Sequence, residues 1–377
     1  MEPDSFAEKL FGPHVDERKK EINRRAFNKL YSEPAKPHSY PLNKTQVARY
    51  IKACDPSIQD NVREFFDVST HVSYKTFKST LFLCFDEFFE FVAKRNVQKI
   101  FIYFPSAQYN MNKSNFWIAQ HFTMYCYKKK KDMSNIHFTE SRDTFKFDGS
   151  HVCMILDDAS YSGSQILQNL QSVYRYDDEA IVRRSQEMSL TNSKSSSAPK
   201  PTRSYIYLMV PYMTQQAIAL VKKELKAYRE ELEGMVHIRL IMPKNMVVMK
   251  TLVQLMKRSD IVKMFSFLSE ATDPDPYPND GHSSIEKSCP IYFDHKLPDT
   301  YSSYPFMYNG LILNENSRPG RKPDYIPVIT NCENMTIFEN MEPRCPYPPY
   351  KSNYKERLAA YMDPERSPSR SPSGSSK

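Results

Sequence analysis

Two adjacent carboxylates and a run of hydroxyls stand together in one stretch of the chain, Val152-Cys-Met-Ile-Leu-Asp-Asp-Ala-Ser-Tyr-Ser-Gly-Ser-Gln165. An apolar strand ends here in Asp157 and Asp158, and a short serine-rich loop then opens a helix. In open parallel sheets, ligands sit outside the carboxyl ends of the strands, which is where both acids fall. Backbone N–H groups of the loop, the hydroxyls of Ser160, Ser162 and Ser164, and the N-terminus of the next helix together favour a phosphate. Gly163 lets the backbone approach such an anion closely. Acids beside a phosphate cradle require a reason, because like charges repel. A sugar phosphate supplies one: the carboxylates accept from vicinal ribose hydroxyls or hold Mg2+, while the loop takes the 5′-phosphate. The plainer alternative is that the two acids only end a strand and cap the next helix.

The elements that must position this segment are legible on both sides of it. Phe77, Leu81, Phe85, Phe88 and Val92 recur at spacings of three and four, the stripe of an amphipathic helix. Lys99-Ile-Phe-Ile-Tyr-Phe104 suits a buried strand. Ser114 is a predicted N-cap for a helix to about Tyr127 that buries Ile118, Phe122 and Cys126. The basic run Lys128 to Lys131 belongs at that helix's C-terminus, where cations oppose the macrodipole. Strands are further predicted at 136–139, 152–156, 205–210 and 237–241. Helices are predicted after Gly163 (Ile166, Leu170, Val173) and through Ile218, Val221, Leu225, Tyr228 and Leu232, with Gly234 as the stop. Strands alternating with amphipathic helices mean a five-stranded parallel sheet covered on both faces by right-handed crossovers.

Residues 1–70 carry many prolines and read as an irregular extension with one or two short helices wrapping the domain. The α/β core spans 71–243, with a Ser-, Lys- and Pro-rich insertion at 177–203 predicted to be flexible. Residues 244–350 form a C-terminal hood and wrapping segment, helical from Val247 to Leu268. Residues 351–377 are a tail, disordered at its Ser-Pro end.

Composition narrows the function classes. The chain has 377 residues, with 40% hydrophobic and 25% charged residues, a globular balance. No run of 18 apolar residues exists, so no membrane-spanning helix is expected. The charged amino end does not read as a secretory signal. Seven scattered cysteines without a Cys-x-x-Cys pair argue against a disulfide framework or structural zinc, and fit a reducing compartment such as the cytoplasm. With 8 glycines in the whole chain, a P-loop or dinucleotide-binding cradle is excluded. The net charge of +8 mildly favours anionic partners, nucleic acid among them, without establishing one.

The segment around Asp157 resembles the phosphoribosyl-diphosphate-binding signature of type I phosphoribosyltransferases: apolar residues, two acids, a short spacer, then a hydroxyl-glycine step. Asp157 and Asp158 match the acidic pair and Ser162-Gly163 the hydroxyl-glycine step, while Tyr161 is a bulkier spacer and Gln165 stands where Thr is usual. The Asp-Asp-Ala-Ser-Tyr-Ser-Gly-Ser-Gln form is also similar to uncharacterised phosphoribosyltransferase-like proteins of large cytoplasmic DNA viruses and some protists, which would place the chain in a host cytoplasm. The resemblance covers roughly residues 72 to 243.

It implies a pyrophosphate loop at 105–114, in which Lys113 and Ser114 would bind a diphosphate, and a mobile loop at 141–150, in which Arg142 and Lys146 would neutralise the departing diphosphate. An exposed lysine, an N-cap and ordinary loop cations explain those four residues equally well. It also implies Mg2+, carried by the acids through Mg-phosphoribosyl diphosphate, and displacement at the sugar C1 with a nucleobase or related acceptor. For acceptor recognition the hood offers Asp294, His295 and Lys296 within Ile291-Tyr-Phe-Asp-His-Lys-Leu-Pro-Asp299; an edge strand turning at Pro298 is the plainer account. Cys345-Pro-Tyr-Pro-Pro-Tyr350 reads as packed extended chain, or as a stacking surface for a planar ligand. The alternative to a transferase is an inactive sensor of nucleotides or sugar phosphates, or a protein that engages RNA or protein. A HAD-like phosphatase would need Asp-x-Asp, and position 159 is Ala. Ribose recognition requires the acid pair to face a cavity; burial in ion bridges would remove it and leave the α/β architecture alone.

Overall fold

The computed structural model describes residues 25, 28–37, 39, 41–103, 114–139, 151–175, 203–231, 237–270 and 288–296. Lys113, the loops holding Arg142 and Lys146, the 177–202 insertion, Gly234, Pro298, the 345–350 cluster and the tail lie outside these residues.

Five strands form one parallel sheet: β2 (Lys99–Tyr103), β3 (Ile136–Thr139), β4 (His151–Leu156), β6 (Arg203–Met209) and β8 (His237–Ile241), in the spatial order β3-β2-β4-β6-β8. Alternate residues along each strand point to opposite faces. Ile100, Ile102, Val152, Met154, Leu156, Tyr205, Tyr207 and Met209 meet helices α3 (Tyr74–Arg95) and α4 (Ser114–Lys128) on one side. Cys153, Ile155, Ile206 and Leu208 meet α5 (Ser164–Arg175) and α6 (Gln215–Glu231) on the other. Both faces are therefore covered, which is why these strands read as continuous apolar runs rather than alternating ones.

The helices start and stop where local chemistry directs. Ser73 caps α3 by accepting from the Thr76 N–H at 3.3 Å. Asn96, with φ of 51°, ends it in the left-handed conformation that asparagine tolerates. Helix α4 is buried almost all round, from Asn115 through Thr123 and again at Tyr125 and Cys126: α3 packs beside it on the sheet, and the amino-terminal segment covers it further, the Gln120 amide donating to the Lys29 carbonyl at 2.6 Å and the Trp117 indole to the Ala35 carbonyl at 3.1 Å. Phe89 stacks on Phe122, and the Tyr125 hydroxyl donates to Asp86.

One departure from the sequence-based expectation concerns short elements. Val247–Met249 is strand β9, not the start of a helix; a 3-10 turn at Leu252–Gln254 and α7 (Arg258–Glu270) follow it. It belongs to a three-stranded parallel sheet, β5 (Ala159–Ser160), β7 (Tyr212–Thr214) and β9, in which β4, β6 and β8 each break and then resume. The amino-terminal region carries two short helices, within the one or two expected of it. Helices α1 (Lys44–Ala53) and α2 (Gln59–Val68) pack with α7 around Tyr50, Val62, Phe65, Leu252, Ile261, Met264 and Tyr292, a separate apolar cluster. Strand β1 (Thr70–Val72) then pairs in parallel with β10 (Ile291–Phe293), tying the segment ahead of α3 to the last described residues. No helix among the described residues is long and apolar enough to cross a membrane.

Candidate functional site

The chain reverses direction across the sheet between β2 and β4. From β2 it passes through α4 to β3 on one side, and from β4 through α5 to β6 on the other. Such a switch point opens a crevice at the carboxyl edge, the usual ligand position in this class of sheet. Asp157 and Asp158 leave β4 at that point. From the start of α4, the Ser114 hydroxyl donates to Asp157 Oδ1 at 3.0 Å. The predicted N-cap thus spends its side chain on the acid pair.

Part of what the two acids do is local. Where β4 breaks, the Asp158 N–H donates to Asp157 Oδ1 at 2.9 Å and the Ala159 N–H to Asp158 Oδ1 at 2.8 Å. These hydrogen bonds satisfy donors that would otherwise be orphaned in a buried gap of the ladder. The next helix is not capped by either aspartate: the Ser164 N–H donates to Ser162 Oγ at 3.2 Å.

The remaining partners come from the far end of the described chain. Asp158 lies 3.3 Å from the Lys296 ammonium through Oδ1 and 3.1 Å from His295 Nε2 through Oδ2. Asp158 is 1% exposed, His295 3% and Lys296 15%. The turn after β10 aims both side chains inward. Asp294 anchors that turn: its Oδ2 accepts from the Tyr74 N–H at 2.7 Å and its Oδ1 sits 2.6 Å from His71 Nε2. The His295 ring lies among Phe77, Trp117 and Phe293, with centroids 4.4, 4.7 and 5.2 Å away.

Charge is divided unevenly within this cluster. Burial, and then the charge of Asp158, push the Asp157 carboxyl up to about 7, against the opposing pull of Lys296. Burial works in the same sense on Asp158, but the Lys296 ammonium and the His295 hydrogen bond outweigh it and hold Asp158 well below the usual carboxylate range. Burial also lowers the pKa of His295 despite its contact with Asp158. A neutral imidazole follows, donating from Nε2 to Asp158 and leaving Nδ1 without a hydrogen-bond partner. Asp158 is the ionised member of the pair, and Asp157 is the one that carries a proton near neutrality.

The predicted site residues thus come together with altered duties. Three donors already occupy the two oxygens of Asp158, so it does not meet the requirement of an acid facing a cavity. Asp294 and His295 serve as internal partners, and none of the described interactions presents them to a base. Gly163 has φ of +81°, and a Cβ there would meet Ala217 Cα at 3.0 Å. Its close approach is therefore to the first turn of α6, which accounts for the glycine without an anion. Ser160, Tyr161 and Ser162 are buried, and Ser164 and Gln165 half-buried, at the start of α5. The Tyr161 hydroxyl donates to the Ile291 carbonyl at 3.3 Å, and its own carbonyl accepts from Thr214 Oγ1 at 2.6 Å. Thr214 is a residue that sequence reasoning misses. It caps α6 by accepting from the Ala217 N–H at 3.0 Å, and a hydroxyl residue three positions ahead of that donor is the available signal.

A resident Mg2+ does not fit this donor set. One carboxylate is already neutralised by an ammonium, and among the described residues no group of three or more His, Cys, Asp or Glu side chains is arranged to hold a metal ion. In comparisons with known proteins, the chain matches no family model, no curated protein and no solved structure.

Proposed function

We propose that the chain binds the phosphate end of a sugar phosphate, phosphoribosyl diphosphate foremost, through the turn Ser160–Gln165 and Lys296 and without ribose recognition by the acid pair, and does so as a sensor rather than as a transferase. The fold order supports a ligand at the switch point, and the serine-rich turn with the N-terminus of α5 supports an anion there. The observation that carries the sensor reading is the Lys296–Asp158 contact of 3.3 Å. An ammonium fills the place where a transferase needs a carboxylate open to ribose. An arriving phosphate competes with Asp158 for that ammonium, so binding and release of the β10 turn become one event.

A transferase using a nucleobase-like acceptor is the second reading, favoured by the two adjacent acids at the switch point. It would proceed by displacement at C1 through an oxocarbenium-like state, with Mg2+ arriving on the diphosphate as part of the substrate.

Calorimetry with phosphoribosyl diphosphate and Mg2+ tests both, comparing the wild type with Asp157→Asn/Asp158→Asn. The sensor reading expects binding that is kept or tightened in the double variant, where Asp158 no longer competes for the Lys296 ammonium, with no diphosphate released in the presence of any base; loss of binding in that variant overturns it. Release of diphosphate with one base replaces the sensor by the transferase. Absence of binding to any sugar phosphate removes both.

A further inference from the structure

At the amino edge of the same sheet, the ends of two helices bring cations together in water. Lys94 and Arg95 close α3, Lys99 opens β2, and Lys128 to Lys131 close α4. All seven are exposed. Packing between the helices holds the group in one place: Phe89 of α3 stacks on Phe122 of α4, and the Lys131 ammonium sits 4.9 Å from the Phe89 ring centroid. Nearby carboxylates offset the cations only in part. Glu90 pairs with Lys94, Glu33 with Lys128, and Asp132 is turned onto Ser134. The cationic field also reaches along the α3–α4 face. Burial lowers the pKa of Lys78, and the charges of Lys128 and Lys36 lower it further.

Two features go beyond a solvated helix end. Tyr127 stands among these lysines with 77% of its surface exposed, the most open large apolar side chain among the described residues. Lys130 adopts φ of +50°, a left-handed conformation that costs a lysine about 1–2 kcal/mol and that glycine adopts freely. Its backbone forms the helix stop, with the Lys131 N–H donating to the Cys126 carbonyl at 2.9 Å and the Lys130 N–H to the Tyr127 carbonyl at 3.2 Å. A charged side chain is thus kept at a position whose backbone favours glycine.

We infer that this corner binds single-stranded nucleic acid, with Lys94, Arg95, Lys99 and Lys128–Lys131 along the phosphates and Tyr127 stacking on a base. Cations interleaved with an exposed ring suit a single strand, whose bases are free to stack, better than a duplex, whose bases are not. The surface lies at the opposite edge of the sheet from Asp157, so it does not depend on the sugar-phosphate reading.

The test is fluorescence anisotropy with the full chain, using 12-nucleotide RNA and DNA single strands, the matching duplex and phosphatidylserine vesicles, from 50 to 200 mM salt. Single strands are expected to bind, with affinity falling as salt rises; the RNA and DNA arms show which sugar is preferred. In Lys129→Ala/Lys130→Gly the slope of log affinity against log salt should shrink by about 1.4, or about 0.7 for each phosphate that no longer meets a lysine. Tyr127→Ala should weaken binding about tenfold with the slope retained. Lys130→Gly alone should melt no lower than the wild type, so weaker binding in the double variant cannot be ascribed to unfolding. Absence of binding at 50 mM salt, tighter binding to duplex or vesicles, or variants indistinguishable from the wild type would each overturn the inference.

Discussion

The two edges of the five-stranded sheet handle charge in opposite ways. At the carboxyl edge, Asp157, Asp158, Asp294, His295 and Lys296 are mostly withdrawn from water, each held within about 3.3 Å of a named partner. At the amino edge, Lys94, Arg95, Lys99 and Lys128–Lys131 stand in solvent. The difference teaches where charge shapes the fold and where it is left available for something else. A buried ion must be matched, because desolvation and attraction are both large and nearly cancel. An exposed ion contributes little to stability, so it stays available to solvent or to a partner.

That contrast fails if the carboxyl-edge cluster can be altered without consequence. Lys296→Met removes the cation and leaves ionised Asp158 with a neutral imidazole, an uncompensated buried charge that should cost about 3–5 kcal/mol in urea unfolding. A loss below about 1 kcal/mol would mean that the ion pair does not hold the β10 turn.

A second variant sharpens the division of charge within the pair. The Asp157 carboxyl is raised to about 7 when folded, against about 4 unfolded. The folded state therefore holds this proton more tightly, and the group weakens the fold as pH climbs from about 4 through about 7. Asp157→Asn mimics the protonated form. It should be more stable than the wild type at pH 8, by up to about 4 kcal/mol for three pKa units at about 1.4 each, and the gap should narrow to about 1 kcal/mol at pH 5. Melting curves of both proteins at the two pH values decide it; equal stability at pH 8 would show Asp157 to be ionised at no cost. His295 acts in the other direction. Its lowered pKa withdraws stability as pH falls below about 6.5, so the comparison between variants is needed to isolate Asp157. The smallest effect belongs to the amino edge, where Lys94→Ala or Lys99→Ala should change unfolding free energy by less than about 0.5 kcal/mol.

Legibility in the sequence follows element length. Each core strand lies within about two residues of its expected place, because strands buried on both faces write themselves as apolar runs such as Val152 to Leu156. The stripe of Phe77, Leu81, Phe85 and Phe88 marks α3 for the same reason. Strands β5, β7 and β9, of two or three residues, are too short to show any period, and Val247–Met249 reads as helix from its residues alone. The acid pair is legible because a strand ending in two carboxylates is a local pattern. Its partners are not, because Lys296 is 138 positions away and reaches Asp158 only through the β1–β10 pairing. Asp294, His295 and Lys296 look like groups offered to a ligand because nothing local consumes their charge. Gly163 looks like an anion contact because Ala217, the backbone it touches, lies in another element.

The separation between Asp158 and Lys296 also sets an order of events during synthesis. A ribosome adding about 5–20 residues per second needs on the order of ten seconds to travel from one to the other. For that interval the nascent polypeptide carries the aspartates without their ammonium, and the first strand of the domain waits for a neighbour made near residue 291. Sealing of the carboxyl edge is thereby a late step of maturation, left to a short downstream segment that acts as its latch.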